Sequence, residues 1–198
     1  MAFGRWPSRL HWLLLSLALL GAHRAPATVY DLDRVGAPLP AITLTLLDGT
    51  PFPLARLRGR PAYVVLFASW CEPCVAELPW LKAAYAAYGD RISFLGVDVL
   101  EDRATAAALA ARVALPFPVA SIDEAAMDAL ISLDARQDGG AKYRIPADFA
   151  IDASGIVRGA WHGLPVDSAG NTIDAIPQHL AGLLAKSAPR DASKGARP

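Results

Sequence analysis

Two cysteines are the only thiols of the chain, and they stand three positions apart in Trp70-Cys71-Glu72-Pro73-Cys74. A pair at that spacing can close and reopen a disulfide with itself, which is the chemistry of thiol–disulfide exchange. Its surroundings suit that use. Upstream, Tyr63-Val64-Val65-Leu66-Phe67-Ala68 is a continuous apolar run of strand length, which predicts a buried strand of a parallel or mixed sheet. Downstream, Val75, Leu78, Leu81, Tyr85 and Tyr88 recur at helical spacing up to Gly89, a C-cap residue. Cys71 is therefore expected at a helix N-terminus, with Pro73 in the first turn, where a missing N–H costs nothing.

A nucleophilic sulfur must be a thiolate, and a helix N-terminus favours negative charge. Cys71 is accordingly the attacking thiol, and Cys74, one turn further in and pointing towards the sheet, the resolving thiol that clears a mixed disulfide. The dipole contributes about 0.3 to 1 kcal/mol, up to ~2 when partly buried, and one pKa unit is about 1.4 kcal/mol, so the helix lowers the thiol by roughly one unit. Glu72 opposes it, because an anion beside Cys71 disfavours the thiolate. A moderately acidic thiol leaves the disulfide comparatively stable, which is the poise of a reductant.

Other uses of a cysteine pair fit less well. Half a zinc site needs two further ligands, and beyond the N-terminal segment only His162 and His179 remain, at a separation unlike a zinc motif. Covalent haem attachment needs a histidine directly after the second cysteine, and that position is Val75. A purely structural bridge closing so short a loop adds little stability.

The 198 residues, 54% hydrophobic and formally neutral, suit one well-cored domain with short extensions. Zero net charge gives no general attraction to nucleic acid or anionic membrane, so nucleic acid is not an expected partner. Arg5 and Arg9 precede an apolar run from Leu10 to Leu20, followed by Ala25-Pro26-Ala27. Residues 1–27 therefore read as a signal peptide or, if uncleaved, an N-terminal membrane anchor; Leu10 to Ala22 falls short of the ~20 residues of a spanning helix. Both readings place the cysteines in the periplasm or otherwise outside the cytoplasm, where thiols tend to become oxidised and a reductant has work to do. The domain then covers 28–186, and 187–198, rich in Pro, Ser, Ala and charge, is a flexible C-terminal tail.

Alternation of Ile42, Leu44 and Leu46 ahead of Asp48-Gly49 predicts an N-terminal β-hairpin whose second arm runs through Phe52 and Leu54. Ile92 to Val99 is a second buried strand and Glu101 to Ala114 an alanine-rich helix, which completes a β-α-β-α pattern with parallel strands. Pro116 to Val119 enters a short strand, Asp123 to Leu133 is a helix, and 134–143, with Gly139-Gly140, an irregular loop. Pro146 to Asp152 and Ile156 to Trp161 form an antiparallel hairpin across a turn at 152–155, and Ile173 to Lys186 is the closing helix. The fold class is α/β.

On these residues the chain resembles the thioredoxin-like superfamily and, within it, the extracytoplasmic TlpA/ResA/CcmG group of thiol–disulfide oxidoreductases. The likeness runs from Val35 to Lys186 and rests on Val35-Gly36-Ala37-Pro38, Leu47-Asp48-Gly49, Phe67 to Cys74, Glu77-Leu78-Pro79 and Pro146 to Gly155. It implies a thioredoxin-like fold, with a central mixed β-sheet flanked by helices and an added N-terminal β-hairpin. It implies that Pro146 is the family's cis-proline beside the cysteines, with Ile145 offering its backbone to a substrate strand. Trp70, Glu72 and Pro73 would complete that substrate-binding surface, Trp70 as an exposed flat shield over the disulfide. Glu77 matches an acidic residue of the ResA-like members; a partly buried carboxyl there would have a raised pKa and take the proton from Cys74 when it attacks. Ordinary thioredoxins supply their buried acid from the preceding strand, where this chain has Val65.

Departures from the pattern bear on specificity. The residues before the proline are Tyr143-Arg144-Ile145, and two threonines frequent after it are replaced by Ala147 and Asp148, the latter expected to add a charge near the binding surface. Trp80, Tyr85 and Tyr88 read as core or helix-surface residues and His162 as a solvated histidine.

The implied function is reduction of extracytoplasmic protein disulfides, with apocytochrome c as the client the resemblance suggests and a membrane thiol–disulfide electron donor to recharge it. No metal or cofactor beyond the Cys71–Cys74 disulfide is expected. Two alternatives are a peroxiredoxin-like thiol peroxidase and a copper-binding or assembly module. The first is disfavoured because the proline and threonine seven and three residues before the attacking cysteine are Val64 and Ala68 here. The second lacks an extra methionine or histidine near the pair.

Overall fold

The computed structural model describes residues 35–130 and 144–187. In chain order these form β1 (Thr43–Leu46), β2 (Pro51–Pro53), a 3-10 turn (Leu54–Leu57), β3 (Ala62–Phe67), α1 (Glu72–Tyr88), β4 (Ser93–Val99), α2 (Arg103–Val113), β5 (Val119–Ile122), α3 (Glu124–Leu130), β6 (Ala147–Ile151), β7 (Val157–His162) and α4 (Ile176–Ser187). The strands make one seven-stranded sheet in the order β2-β1-β5-β4-β3-β6-β7. β3 pairs in parallel with β4 and β4 with β5, while β6 lies antiparallel to β3 and β7 antiparallel to β6.

The centre of the sheet explains its composition. Every residue of β3 and of β6 is buried, because both strands have sheet neighbours on each side and both faces covered. Burying one such Val, Leu or Phe contributes about 1.5–3 kcal/mol. α4 packs on α1, β6 and β7. Lys82 Nζ of α1 donates to the Val113 carbonyl at the end of α2, 2.6 Å away, and two right-handed crossovers running the same way along the sheet set α1 and α2 on one face. The expected N-terminal hairpin is present and joins the sheet edge through β1 and β5.

Several boundaries differ from those read in the sequence, each for a local reason. The second arm of the N-terminal hairpin stops at Pro53, and Leu54 is instead a buried residue of the 3-10 turn. α2 starts at Arg103 and not Glu101, because Asp102 Oδ1 caps it by accepting the N–H groups of Ala104 and Thr105, both at 2.9 Å. α4 starts at Ile176 and not Ile173: Ile173 N–H donates to the Pro165 carbonyl in the preceding loop, and Asp174 Oδ1 accepts from Ile176 N–H. The strand entered at Pro116 begins only at Val119. Gly89 does cap α1, its N–H donating to the Tyr85 carbonyl. The leader at 1–27, the 134–143 loop, the last residues of the helix expected to reach Leu133 and the tail from 188 lie outside the described residues. Among the described residues no helix is long and apolar enough to cross a membrane.

β4 carries two side-chain choices that the packing makes costly. A Cβ on Gly96 would lie 2.9 Å from Phe67 Cε1, 3.2 Å from Val119 Cγ2 and 3.4 Å from Phe117 Cε2, so glycine is what lets these three side chains close over the strand. Gly96→Ala is expected to lower stability by about 1–3 kcal/mol through overpacking, read as a drop in the urea midpoint with an unchanged slope. Asp98, two residues on and fully buried, is pushed up to about 8 by burial and by the adjacent Glu101 carboxylate. The unfolded carboxyl ionises near 3.8, so the folded protein binds the extra proton between the two values and loses stability as pH rises through that window. Asp98→Asn is expected to melt at a higher temperature than the parent at pH 8, with the gap closing below pH 4; an equal gap at both would remove Asp98 as the cause.

Candidate active site

Cys71 is the N-cap of α1. Its backbone is extended (φ −92, ψ 98), and its Sγ accepts the Cys74 N–H at 3.3 Å, which answers one of the amides a helix start leaves unpaired. The two sulfurs are bonded at 2.07 Å with Cα atoms 5.2 Å apart. Cys71 is 6% exposed and Cys74 fully buried, so of the two residues Cys71 alone reaches solvent. Pro73 occupies the first turn, as the residue order required.

The loop leading to Cys71 is tied from the end of β4. Glu101 Oε1 accepts from Ser69 N–H at 2.7 Å and Oε2 from the Ser69 hydroxyl at 2.6 Å. Burial works against the Glu101 charge, but Asp98 and the two Ser69 donors outweigh it and hold the carboxyl below its ordinary range. Glu101 thus anchors Ser69, two residues before Cys71.

On the other side of Cys71 lies the start of β6. The Ile145–Pro146 peptide is cis, Pro146 is buried, and the Ile145 carbonyl oxygen stands 3.7 Å from Cys71 Sγ. Between these parts runs an open groove of about 640 Å³, walled by Trp70, Glu72 and Pro73 on one side and by Arg144, Ile145 and the 163–166 loop on the other. Trp70 is 62% exposed at its rim and so is not part of the core. The structure thus brings Trp70, Cys71, Glu72, Pro73, Ile145 and Pro146 to one place. Leu164, Pro165 and Val166, which complete the wall, carried no signal in the sequence beyond an apolar loop after a strand.

Behind the disulfide the structure is more polar than the sequence suggests. Glu77 is 3% exposed, one turn along α1 from Cys74. Asp148 does not charge the binding surface: it is 5% exposed and sits directly opposite Val65 in the β3–β6 register. Opposed residues on paired strands project to the same face, so β6 supplies the buried acid at the place where β3 has valine. Asp148 sits beside Glu77 and Tyr63, and both favour its charged form. Burial, then the negative charge of Asp148, raises Glu77 far above the carboxylate range, and burial raises Asp148 less, because those two neighbours oppose it.

His179 of α4 extends this cluster. Its Nδ1 is 3.1 Å from the Tyr63 hydroxyl, its ring stacks on Trp161 with centroids 3.6 Å apart, and burial lowers it to about 4, so it is neutral at pH 7. His162 is half-buried and not simply solvated, and Arg144 Nη1 donates to its Nε2 at 3.0 Å. Trp80 and Tyr88 are half-buried helix residues, and Tyr85 packs edge-on against Phe94. Among the described residues no cluster of three or more His, Cys, Asp or Glu is arranged to hold a metal ion.

Known proteins share these features. A family model described as Redoxin matches residues 34–165. The thiol:disulfide interchange protein DsbE of Pseudomonas fluorescens biotype C is 31% identical over 165 residues, 81% of this chain and 86% of that one. The thiol-disulfide oxidoreductase ResA of Geobacillus thermodenitrificans is 31% identical over 110 residues, 54% of this chain, and the match spans 63% of that relative. In structure, a secreted Mycobacterium tuberculosis disulfide oxidoreductase homologous to DsbE superposes with a TM-score of 0.55 at 23% identity, covering 73% of this chain and 96% of that one, which establishes a common fold. With a family match over more than half its length and a DsbE relative aligned nearly end to end, the chain belongs to the redoxin family, in the thioredoxin-like TlpA/ResA/CcmG group of thiol–disulfide oxidoreductases.

Proposed function

We propose that the protein is an extracytoplasmic reductant of protein disulfides, in which Cys71 attacks and Cys74 resolves. The observation that carries this reading is the position of Cys71 Sγ: at the floor of an open groove, at a helix N-terminus, with its partner sulfur buried behind it. Cys71 thiolate attacks a client disulfide, forming a mixed disulfide and releasing one client thiolate. Cys74 then attacks Cys71 Sγ, the intramolecular disulfide forms and the second client thiolate leaves, so two electrons pass from the protein to the client. An extended client segment laid against the Ile145 backbone, with Trp70, Glu72 and Pro73 across the groove, would present its disulfide to Cys71. No cofactor beyond the cysteine pair is needed for these steps.

Residues 1–27 support export, and the relatedness to ResA and DsbE supports apocytochrome c as client and a membrane thiol–disulfide protein as electron donor. A thiol peroxidase is disfavoured by Val64 and Ala68, both buried and apolar, at the places of that chemistry's proline and threonine. A copper module is disfavoured because His162 and His179 are engaged with Arg144 and with Tyr63 and Trp161.

Cys71→Ser is expected to abolish insulin-disulfide reduction, and full retained activity would refute the assignment. Cys74→Ser should accumulate a client mixed disulfide visible on a non-reducing gel. The potential of the pair, equilibrated against glutathione, is expected near the roughly −270 mV of thioredoxin; a value near the −120 mV or so of strong oxidants would reverse the direction of electron flow.

A further inference from the structure

Beneath Cys74 the chain buries a carboxyl that the exchange steps above do not use. Asp148 reaches the face under α1 through its register with Val65, and there it lines one pocket with Glu77. Glu77 stands one helical turn from Cys74 on the same side of α1. Resolving sulfur, first carboxyl and second carboxyl therefore follow one another into the space between sheet and helices. Glu77 Oε2 and Asp148 Oδ1 have no protein partner, and both residues line a pocket of about 40 Å³ with Trp80, Trp161 and His179. By the measure in which one water takes roughly 10–15 Å³, that pocket has room for water.

The resolving step needs a base. Glu77 is buried and faces the Asp148 charge, so it holds its proton above neutral pH. A carboxyl that is already protonated accepts a proton at one oxygen only by surrendering its own at the other. Asp148 is the group placed to receive it. The Tyr63 hydroxyl lies 3.1 Å from His179 Nδ1, and Tyr63 and Glu77 both favour the charged form of Asp148. Asp148 and Asp174, by contrast, both disfavour charge on Glu77. The titratable groups facing the pair are Tyr63 from β3, Asp174 ahead of α4, His179 from α4, His162 from β7, which lines the same pocket, and Cys74 on α1 itself.

We propose, resting on the oxidoreductase reading above, that Asp148 is the final acceptor of the Cys74 proton, with Glu77 the carrier between them. As Cys74 Sγ bonds to Cys71 Sγ, the bond from Cys71 to the client sulfur breaks, and that sulfur leaves as thiolate with the electron pair. The Cys74 proton moves to one oxygen of Glu77 while the proton on the other passes to Asp148. The protein dithiol is oxidised and the client disulfide reduced. Asp148 afterwards returns its proton to solvent through the pocket. Because it touches neither sulfur, Asp148 is a positioning residue that acts through Glu77.

Stopped-flow reaction of the reduced protein with dithiobis(nitrobenzoate) tests this. The first nitrothiobenzoate released reports attack by Cys71, and with it the oxidoreductase reading; the second reports resolution by Cys74, and with it Asp148. In Asp148→Asn, shown to be folded by circular dichroism, the first phase is expected unchanged. The second should slow about 10- to 100-fold near neutral pH, the deficit closing at alkaline pH where Cys74 ionises unaided. A second phase with the parent's pH profile, or one slowed by the same factor at every pH, would overturn the proposal. A first phase missing from the parent would instead overturn the oxidoreductase reading. Should Asp148→Asn fail to fold, infrared spectra of reduced Asp98→Asn, in which the other raised carboxyl is removed, decide: a protonated buried carboxyl at pH 8 is required, and its absence overturns the shared proton.

Discussion

The pairing of β6 against β3 is the constraint on which this molecule turns. Leu66 stands opposite Ala147 and Val65 opposite Asp148, so the carboxyl end of β3, from which the cysteine loop departs, lies beside the amino end of β6, where Ile145 and Pro146 enter. The groove floor therefore unites two segments more than seventy residues apart in sequence, with Cys71 Sγ close to the Ile145 carbonyl. A slip of one residue would turn every β6 side chain to the other face. Asp148 would leave the space under α1 and Phe149 would enter it. The five buried residues of β6 are what hold the pairing against such a slip.

Around that register the protein places charge where burial opposes it. Glu77, Asp98 and Asp148 are all buried carboxyls raised above their ordinary range, and none has a buried cation as partner among its named causes. Each weakens the folded state at neutral pH, since the ionised form prefers water. All three lie close to the disulfide: two behind Cys74, and one beside the Glu101 that anchors the loop before Cys71. Perturbed groups concentrated around one pair of sulfurs fit a site tuned for proton movement better than a scaffold tuned for stability.

The groove and the buried cluster divide the work of the site. Toward solvent, Trp70 and the 163–166 loop give an apolar, open rim suited to another polypeptide. Away from solvent, His179 joins Tyr63 and Trp161 in a packed cluster beside Glu77 and Asp148. The disulfide sits at the boundary between the two, so Cys71 faces the groove while Cys74 is enclosed by the protein.

The local arrangement was legible in the sequence. A strand, two cysteines three apart and a helix are contiguous, so their relative placement follows from backbone geometry within some twenty-five residues, and the N-cap position of Cys71 came with it. The N-terminal hairpin was legible in the alternation of Ile42, Leu44 and Leu46 ahead of Asp48-Gly49, and the cis proline and Glu77 through likeness to the thioredoxin-like group. Asp148 was misread as a surface charge because a lone aspartate after a proline carries no mark of which face it will occupy; only its register against Val65 decides that. Tyr63 and His179 lie 116 positions apart and meet through the packing of α4 on the sheet, which no periodicity encodes. Sequence by itself thus determined where the outer sulfur sits, because local backbone geometry is enough to set it at a helix N-terminus. Tertiary structure alone decided what surrounds the inner sulfur, because burial and proton sharing arise from side chains that distant segments bring into contact.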